Sequence, residues 1–247
     1  MLTCYYTAAI MSAPRPPHIE AANSAWTFDD IAGQFDAHIE SSVPLYRQGH
    51  RLIAELAPFF LPRDGQLVEV GCSTGNLAAA VLAGNAGRAD IRYLGIDPVK
   101  SMVDQARVKL ASDSRAAFVC ADLFDVELPP ANLIVAYYTM QFICPALRQQ
   151  AFDKLYNALE WGGALVLFEK VRAPDARFQD IASQLYSDYK LDNGFSEAAI
   201  VNKSRSLKGV LEPFSSQGNL DLLGRAGFVD VMTIVKWVNF EGFLAIK

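Results

Sequence analysis

The chain is poor in metal ligands and has no paired cysteines. Its 247 residues include three histidines, His18, His38 and His50, and four cysteines, Cys4, Cys72, Cys120 and Cys144. No two cysteines stand in a CxxC spacing, and no histidine has a Cys or His partner at metal-ligand spacing, so no protein-bound metal is expected. Scattered thiols, in a chain without an export signal, predict reduced cysteines and a cytoplasmic protein. The N-terminal stretch is apolar, yet it lacks the basic segment and cleavage site of a leader. It reads as a loose extension, with Met11 as an alternative start. No apolar run approaches the roughly 20 residues of a membrane span. Positive charge is in deficit as well: 22 Lys and Arg against 27 Asp and Glu give a net charge of -5, which does not favour direct nucleic-acid binding. The one basic cluster, Lys203, Arg205 and Lys208, reads as a solvated helix face.

What is present is a large apolar core. Hydrophobic residues make up 51% of the chain and charged residues 20%, the balance of one soluble domain whose core needs no disulfide staples. Residues 1–25, with Pro14, Pro16 and Pro17 among small polar residues, are expected to form an irregular arm, and residues 26–247 a single domain. Helical spacing follows in two stripes, one of Phe28, Ile31 and Phe35, the other of Leu52, Ile53, Leu56 and Phe59. Ser41, Ser42, Val43 and Pro44 separate them. From Gln66 the pattern shortens. Apolar runs at 67–70, 91–96, 117–120, 133–138 and 164–168 predict strands, with helices at 76–83, 102–110 and 146–159 between them. The runs are apolar on both faces, as strands covered by helices on each side must be. Gly162 and Gly163 are expected to stop the last of these helices and turn the chain into the fifth strand. Residues 174–214 predict a largely helical insertion and 220–226 a short helix stopped by Gly227. Residues 229–238 and 240–246 then predict an antiparallel pair at one sheet edge. Together these elements predict an α/β fold: a doubly wound, mostly parallel sheet with N-terminal helices and a C-terminal antiparallel hairpin.

The strongest chemical signal is Val68-Glu69-Val70-Gly71-Cys72-Ser73-Thr74-Gly75-Asn76-Leu77, a strand running through a glycine turn into a helix. Gly71 and Gly75 let the backbone approach a ligand, and the helix start offers free N–H groups. The spacing is G-x-x-x-G, without the third glycine of the dinucleotide fingerprint, which weakens a nicotinamide dehydrogenase reading. Glu69 is placed to meet a positive group such as an amine. Asp97 closes the second run, where a carboxylate accepts hydrogen bonds from both ribose hydroxyls. Asp122 follows the third, where it is placed to accept from an adenine amino group. Each acid alone reads as a helix cap. Three acids at the ends of successive strands outline a nucleoside site.

On these residues the chain resembles the class I S-adenosylmethionine (SAM)-dependent methyltransferases over nearly its whole length. It is most similar to their carboxy-SAM synthase subgroup, which converts SAM and prephenate into a carboxylated SAM used in tRNA wobble modification. The shared stretches are Trp26-Thr27-Phe28-Asp29, Ser42-Val43-Pro44, Gly71-Cys72-Ser73, Gln141-Phe142, Gly162-Gly163-Ala164-Leu165-Val166-Leu167, Asn193-Gly194-Phe195-Ser196-Glu197 and Ala226-Gly227-Phe228. The resemblance implies a seven-stranded Rossmann-like sheet and a SAM site lined by Tyr46, Gly71, Cys72, Ser73, Asp97, Pro98, Asp122 and Leu123. It also implies a homodimer with the insertion helices near the partner's site. The chain departs from the subgroup at three places. Tyr137, followed by Tyr138, stands for an asparagine, and Tyr186 for a histidine. Ser204 stands for the arginine that holds the extra carboxylate, and Arg205 lies one place further on. On a helix that is roughly 100° round the axis, which a two-pronged carboxylate clamp tolerates poorly.

SAM is a sulfonium cation, so positioning and desolvation supply most of any acceleration. Tyrosine faces stabilise such a cation by roughly 0.5–2 kcal/mol each, a role that suits Tyr137, Tyr138 and Tyr186. Without the clamp, the expected reaction is on SAM itself: its α-amine displaces sulfur at its own γ-carbon, giving azetidine-2-carboxylate and methylthioadenosine. Ser204, Tyr186 and Tyr137 are the candidate proton acceptors, serine through a water. Methyl transfer to a small molecule, authentic carboxy-SAM synthesis and a non-catalytic SAM-binding subunit are the alternatives.

Overall fold

The computed structural model describes residues 35–247. The arm expected at 1–25 and the Trp26–Asp29 stretch lie outside them. Seven strands form one sheet: β1 (Gln66–Val70), β2 (Arg92–Asp97), β3 (Ala116–Cys120), β4 (Ala131–Tyr137), β5 (Leu159–Lys170), β6 (Asp230–Trp237) and β7 (Phe240–Ile246), in the order β3-β2-β1-β4-β5-β7-β6. The first five are mutually parallel, while β7 pairs antiparallel with both β5 and β6. The expected fold and edge hairpin are therefore observed. Strand order reverses between β1 and β4, which opens a crevice at their carboxyl ends.

Alternation along each strand divides the core in two. In β4, Leu133, Val135 and Tyr137 join one cluster and Ile134 and Ala136 the other. The first cluster packs under α2 (Tyr46–Phe60), α3 (Asn76–Gly84) and α4 (Lys100–Lys109) through Ile53, Leu77, Val81 and Val103. The second packs under α5 (Pro145–Ala158) and α8 (Ser216–Ala226) through Phe152, Leu155, Leu222 and Leu223. Fully buried Leu, Ile and Phe side chains each contribute about 1.5–3 kcal/mol. Burial on both faces explains why β4 reads as an apolar run from Leu133 and why β1 is apolar from Leu67 but for Glu69.

The remaining helices are α1 (Phe35–Ser42), α6 (Ala176–Asp192) and α7 (Glu197–Ser206). The last two make up the expected insertion. Asp175 caps α6 by accepting the Phe178 N–H, Ser196 caps α7 and Ser215 caps α8. Gly227, at φ 119°, ends α8 as expected.

One boundary is corrected. Helix α5 already ends at Ala158, and β5 starts at Leu159, so Gly162 and Gly163 lie inside the strand rather than before it. The pairing of β5 with β4 jumps from Leu159 opposite Ala131 to Ala164 opposite Leu133. This bulge needs Gly162 at φ 78° and brings Gly163 so close to β4 that a Cβ there would meet the Asn132 carbonyl oxygen at 2.9 Å. The glycines bend a strand that is already running.

Candidate functional site

A cavity of about 660 Å³ opens at the carboxyl ends of β1, β2, β4 and β5, and residues of α1, α2, α6 and α7 close it over. Its floor is the glycine turn. Gly71 has φ 76°, and a Cβ there would fall 2.3 Å from the Thr139 hydroxyl oxygen. That hydroxyl is fixed by donating to the Val70 carbonyl at 2.9 Å. Asp97 holds the turn from the other side: its Oδ2 accepts the Ser73 N–H and its Oδ1 the Val99 N–H, both at 2.9 Å. Burial pushes its pKa up, against the pull of those two donors. Each oxygen keeps a second acceptor site, and Asp97 lines the cavity.

Glu69, 2% exposed, faces the same space and accepts a hydrogen bond from the Tyr93 hydroxyl. Burial lifts its carboxyl to about 8, and Asp97 adds to the shift while the Tyr93 bond opposes it. Without a cation nearby it is mostly neutral at pH 7. A bound ammonium group would favour the carboxylate.

The β4 end contributes an aromatic wall. The Tyr137 ring stands 5.3 Å from Tyr46, 4.7 Å from His50 and 4.8 Å from Phe168, centroid to centroid. Its hydroxyl donates to the Tyr46 carbonyl at 2.6 Å. Gly49 makes room for it, since a Cβ there would lie 2.2 Å from the Tyr137 oxygen. Burial pushes the phenol up, as it does for Tyr46 and Tyr138. His50 is buried and its pKa is pushed down to about 4, so its ring is neutral. Its Nε2 has no hydrogen-bond partner among the described residues. Gln141 ties this wall to β5: its amide donates to the Tyr138 carbonyl at 3.1 Å and accepts the Lys170 N–H at 3.0 Å.

The insertion side carries positive charge. Lys170 ends β5 and Lys190 lies in the last turn of α6, and their ammonium groups stand 4.4 and 4.2 Å from the Tyr186 ring centroid. The Tyr186 hydroxyl donates to the Ser42 carbonyl at 2.9 Å. Two lysines thus flank its ring. Burial pushes Lys170 down to about 8, helped by Lys190 and Arg172, and pushes Lys190 to about 8. Lys203 falls to about 7, through burial and then the nearby Lys190.

The structure gathers Tyr46, Glu69, Gly71, Cys72, Ser73, Asp97, Pro98, Tyr137, Tyr186 and Ser204 around this one cavity. Three other sequence candidates do not line it. Gly75 caps α3 at φ 77° against Ala106. Asp122 is exposed and accepts the Phe124 N–H at 2.9 Å, and Leu123 is buried in the second core cluster. The basic cluster also needs correcting. Lys203 and Lys208 line the cavity and Arg205 does not; Lys203 and Arg205, two apart on α7, point to opposite sides. Sequence reasoning missed Lys170, Lys190, His50 and Gly49. Lys170 alone carried a signal, as a cation placed directly after the apolar run of β5. Among the described residues, no group of three or more His, Cys, Asp or Glu is placed to hold a metal, and no helix is long and apolar enough to cross a membrane.

Known proteins share this architecture. A putative O-methyltransferase from Nostoc punctiforme superposes with a TM-score of 0.63 at 16% identity, covering 88% of this chain and 59% of that one. Human N-acetylserotonin methyltransferase in complex with SAM gives 0.59 at 19%, covering 89% and 56%. The chain spans less than two thirds of either, and at such identities the likeness shows the fold. Residues 68–165 match the family described as "Methyltransferase domain". The protein is a SAM-dependent enzyme of the class I methyltransferase fold. Over far more of its length it is similar to carboxy-S-adenosyl-L-methionine synthases. That of Campylobacter lari is 35% identical over 219 residues, 88% of this chain and 92% of the relative, and that of Wolinella succinogenes 37% over 231 residues, 92% and 96%. The chain belongs to the carboxy-SAM synthase family.

Proposed function

We propose that SAM is itself the substrate of this cavity and is cyclised to azetidine-2-carboxylate with release of methylthioadenosine. The observation that carries the reading is on α7, where Ser204 lines the cavity and Arg205 does not. In the balanced reaction a bond forms between the α-nitrogen and the γ-carbon of SAM, the γ-carbon–sulfur bond breaks with its electron pair going to sulfur, and one ammonium proton leaves to a base. The chain's residues supply the setting. Gly71, Cys72 and Ser73 bring backbone close to the nucleoside, and Asp97 and Pro98 hold the ribose. Glu69 receives the amine. Tyr46, Tyr137 and Tyr138 face the sulfonium and keep water out. The hydroxyls of Tyr137 and Tyr186 are spent on carbonyls, which leaves them weak proton acceptors. Ser204, acting through a water, has Lys203 beside it, and an amine near pKa 7 is an effective base at neutral pH.

Carboxy-SAM synthesis is the second reading, favoured by the family and by lysines that would suit a second acid. Methyl transfer to a small-molecule acceptor is the third. Incubating the pure protein with SAM alone and then with prephenate, and identifying products by mass spectrometry, separates them. Methylthioadenosine and azetidine-2-carboxylate from SAM alone is the expected result. A carboxylated SAM that appears only with prephenate would overturn it.

The same proposal includes a cytoplasmic homodimer. The free thiols Cys72, Cys120 and Cys144 support the first part. For the second, Phe178, Ile181 and Leu185 make an exposed apolar stripe along α6, at 48, 52 and 46% exposure. A monomer in sedimentation would end that part of the proposal.

A further inference from the structure

We propose that Lys170 and Lys190 form a carboxylate-binding subsite inside the SAM cavity, on its β5 and α6 side. The inference rests on the reading of this cavity as the SAM site. Both ammonium groups stand over one ring, that of Tyr186, at 4.4 and 4.2 Å from its centroid, so the two nitrogens are no further apart than the sum of those distances. The ring cannot turn away, because its hydroxyl is tied to the Ser42 carbonyl. Lys170 is fixed at its backbone by Gln141 and also stands 5.9 Å from the Phe240 ring. Two like charges are therefore held beside one ring in a half-buried, aromatic corner.

Arg172 after β5 adds positive charge that acts on Lys170, and Lys190 in turn lowers Lys203 on α7. Among the described residues no carboxylate lies within 4 Å of either Lys170 or Lys190. Rings relieve part of the desolvation of an ammonium group but do not neutralise it. An anion that meets them would. Burial holds both lysines down at about 8, with Lys190 and Arg172 adding to the shift of Lys170, the direction expected of cations awaiting a counter-charge.

The position says what the anion is attached to. The glycine turn follows β1, Tyr137 ends β4 and Lys170 ends β5, so the Lys170 backbone lies two strand spacings, roughly 10 Å, across the sheet from the turn. A carboxylate there belongs either to the methionyl arm of SAM, folded past the tyrosines, or to a separate carboxylic acid. The chemistry recognised is the same.

The test measures binding by calorimetry to the full chain and to Lys170→Gln and Lys190→Gln. Four probes are used: SAM, decarboxylated SAM, methylthioadenosine, and prephenate added to protein saturated with S-adenosylhomocysteine. The expected result is at least tenfold weaker binding of a carboxylate-bearing probe in both variants, with methylthioadenosine held within twofold. Loss confined to SAM, with decarboxylated SAM unaffected, assigns the subsite to the methionyl carboxylate. Loss confined to prephenate assigns it to a second acid. Unchanged binding of both SAM and prephenate would overturn the proposal. If a glutamine variant also loses methylthioadenosine, Lys170→Arg and Lys190→Arg decide. Carboxylate binding restored by the retained charge supports the subsite, and its loss despite the charge rejects it. Failure of the wild-type chain to bind methylthioadenosine would instead reject the SAM reading beneath it.

Discussion

At the ends of β1 and β2 the cavity wall is backbone and carboxylate, whereas at the ends of β4 and β5 it is ring and ammonium. The first half is set by hydrogen bonds between the turns that end adjacent strands: Asp97 takes the N–H groups of Ser73 and Val99, and Thr139 pins Val70. Such a surface recognises what every nucleoside cofactor shares. The second half is assembled from α1, α2, α6 and α7, and its contacts span long stretches of sequence, as between Tyr186 and Ser42 or Tyr137 and Tyr46. Binding is expected to live in the first half and choice of reaction in the second.

The largest expected effect breaks the first half. Gly71→Val places a branched side chain where a Cβ alone already meets Thr139 at 2.3 Å, at a φ that such residues avoid. SAM and methylthioadenosine binding should both fall more than a hundredfold by calorimetry. Asp97→Ala comes next. It frees two backbone donors and removes a charged acceptor, each such hydrogen bond being worth roughly 1.5–3 kcal/mol, so both ligands should weaken ten- to a hundredfold. Undiminished binding in either variant would show that the glycine end is not where the nucleoside sits.

The second half should fail differently. Gly49→Ala drives a methyl group into the Tyr137 hydroxyl, an overpacking cost of about 1–3 kcal/mol. Turnover of SAM should drop about tenfold while methylthioadenosine binds as before. Equal losses in both would erase the distinction between the two halves.

The smallest effect is one of pH. Lys170 and Lys190, near 8 in the free protein, lose their charge as pH rises through that value, so the affinity for a carboxylate should decline from pH 7 to pH 9. Lys203, Arg172, Tyr186 and Tyr189 are the other titratable groups around them. Glu69, also near 8, works in the opposite sense, because its ionisation strengthens the hold on a cation. Glu69→Gln should therefore steepen the decline, measured as binding against pH.

Much of the architecture was legible because burial on both faces leaves a plain mark. Strands β1, β2 and β4 and the glycine turn follow from residues adjacent in sequence. The early start of β5 did not, since Glu160, Trp161 and the two glycines look like a turn, and only pairing with β4 makes them a bulged strand. The cationic wall was hidden for another reason. Lys170, Lys190 and Lys203 are far apart in sequence, and Lys203 sits among charged neighbours on a helix whose cavity-facing side is fixed only by packing. Asp122 drew attention by its place after β3, yet its carboxylate caps its own turn.

Tyr138 follows directly on the last residue of β4, and in a regular strand consecutive side chains would point to opposite faces of the sheet. Its φ of 60° breaks that alternation, and Tyr137 and Tyr138 both pack in the same cluster with ring centroids 4.8 Å apart. A single twisted residue thus doubles the number of phenol rings that one strand end can present. The cost is a backbone state of about 1–3 kcal/mol that glycine or asparagine would adopt more easily. Either replacement would relax the main chain but empty a buried ring site, a loss of roughly 3–5 kcal/mol that outweighs the relief, so stability and turnover should both fall at this position.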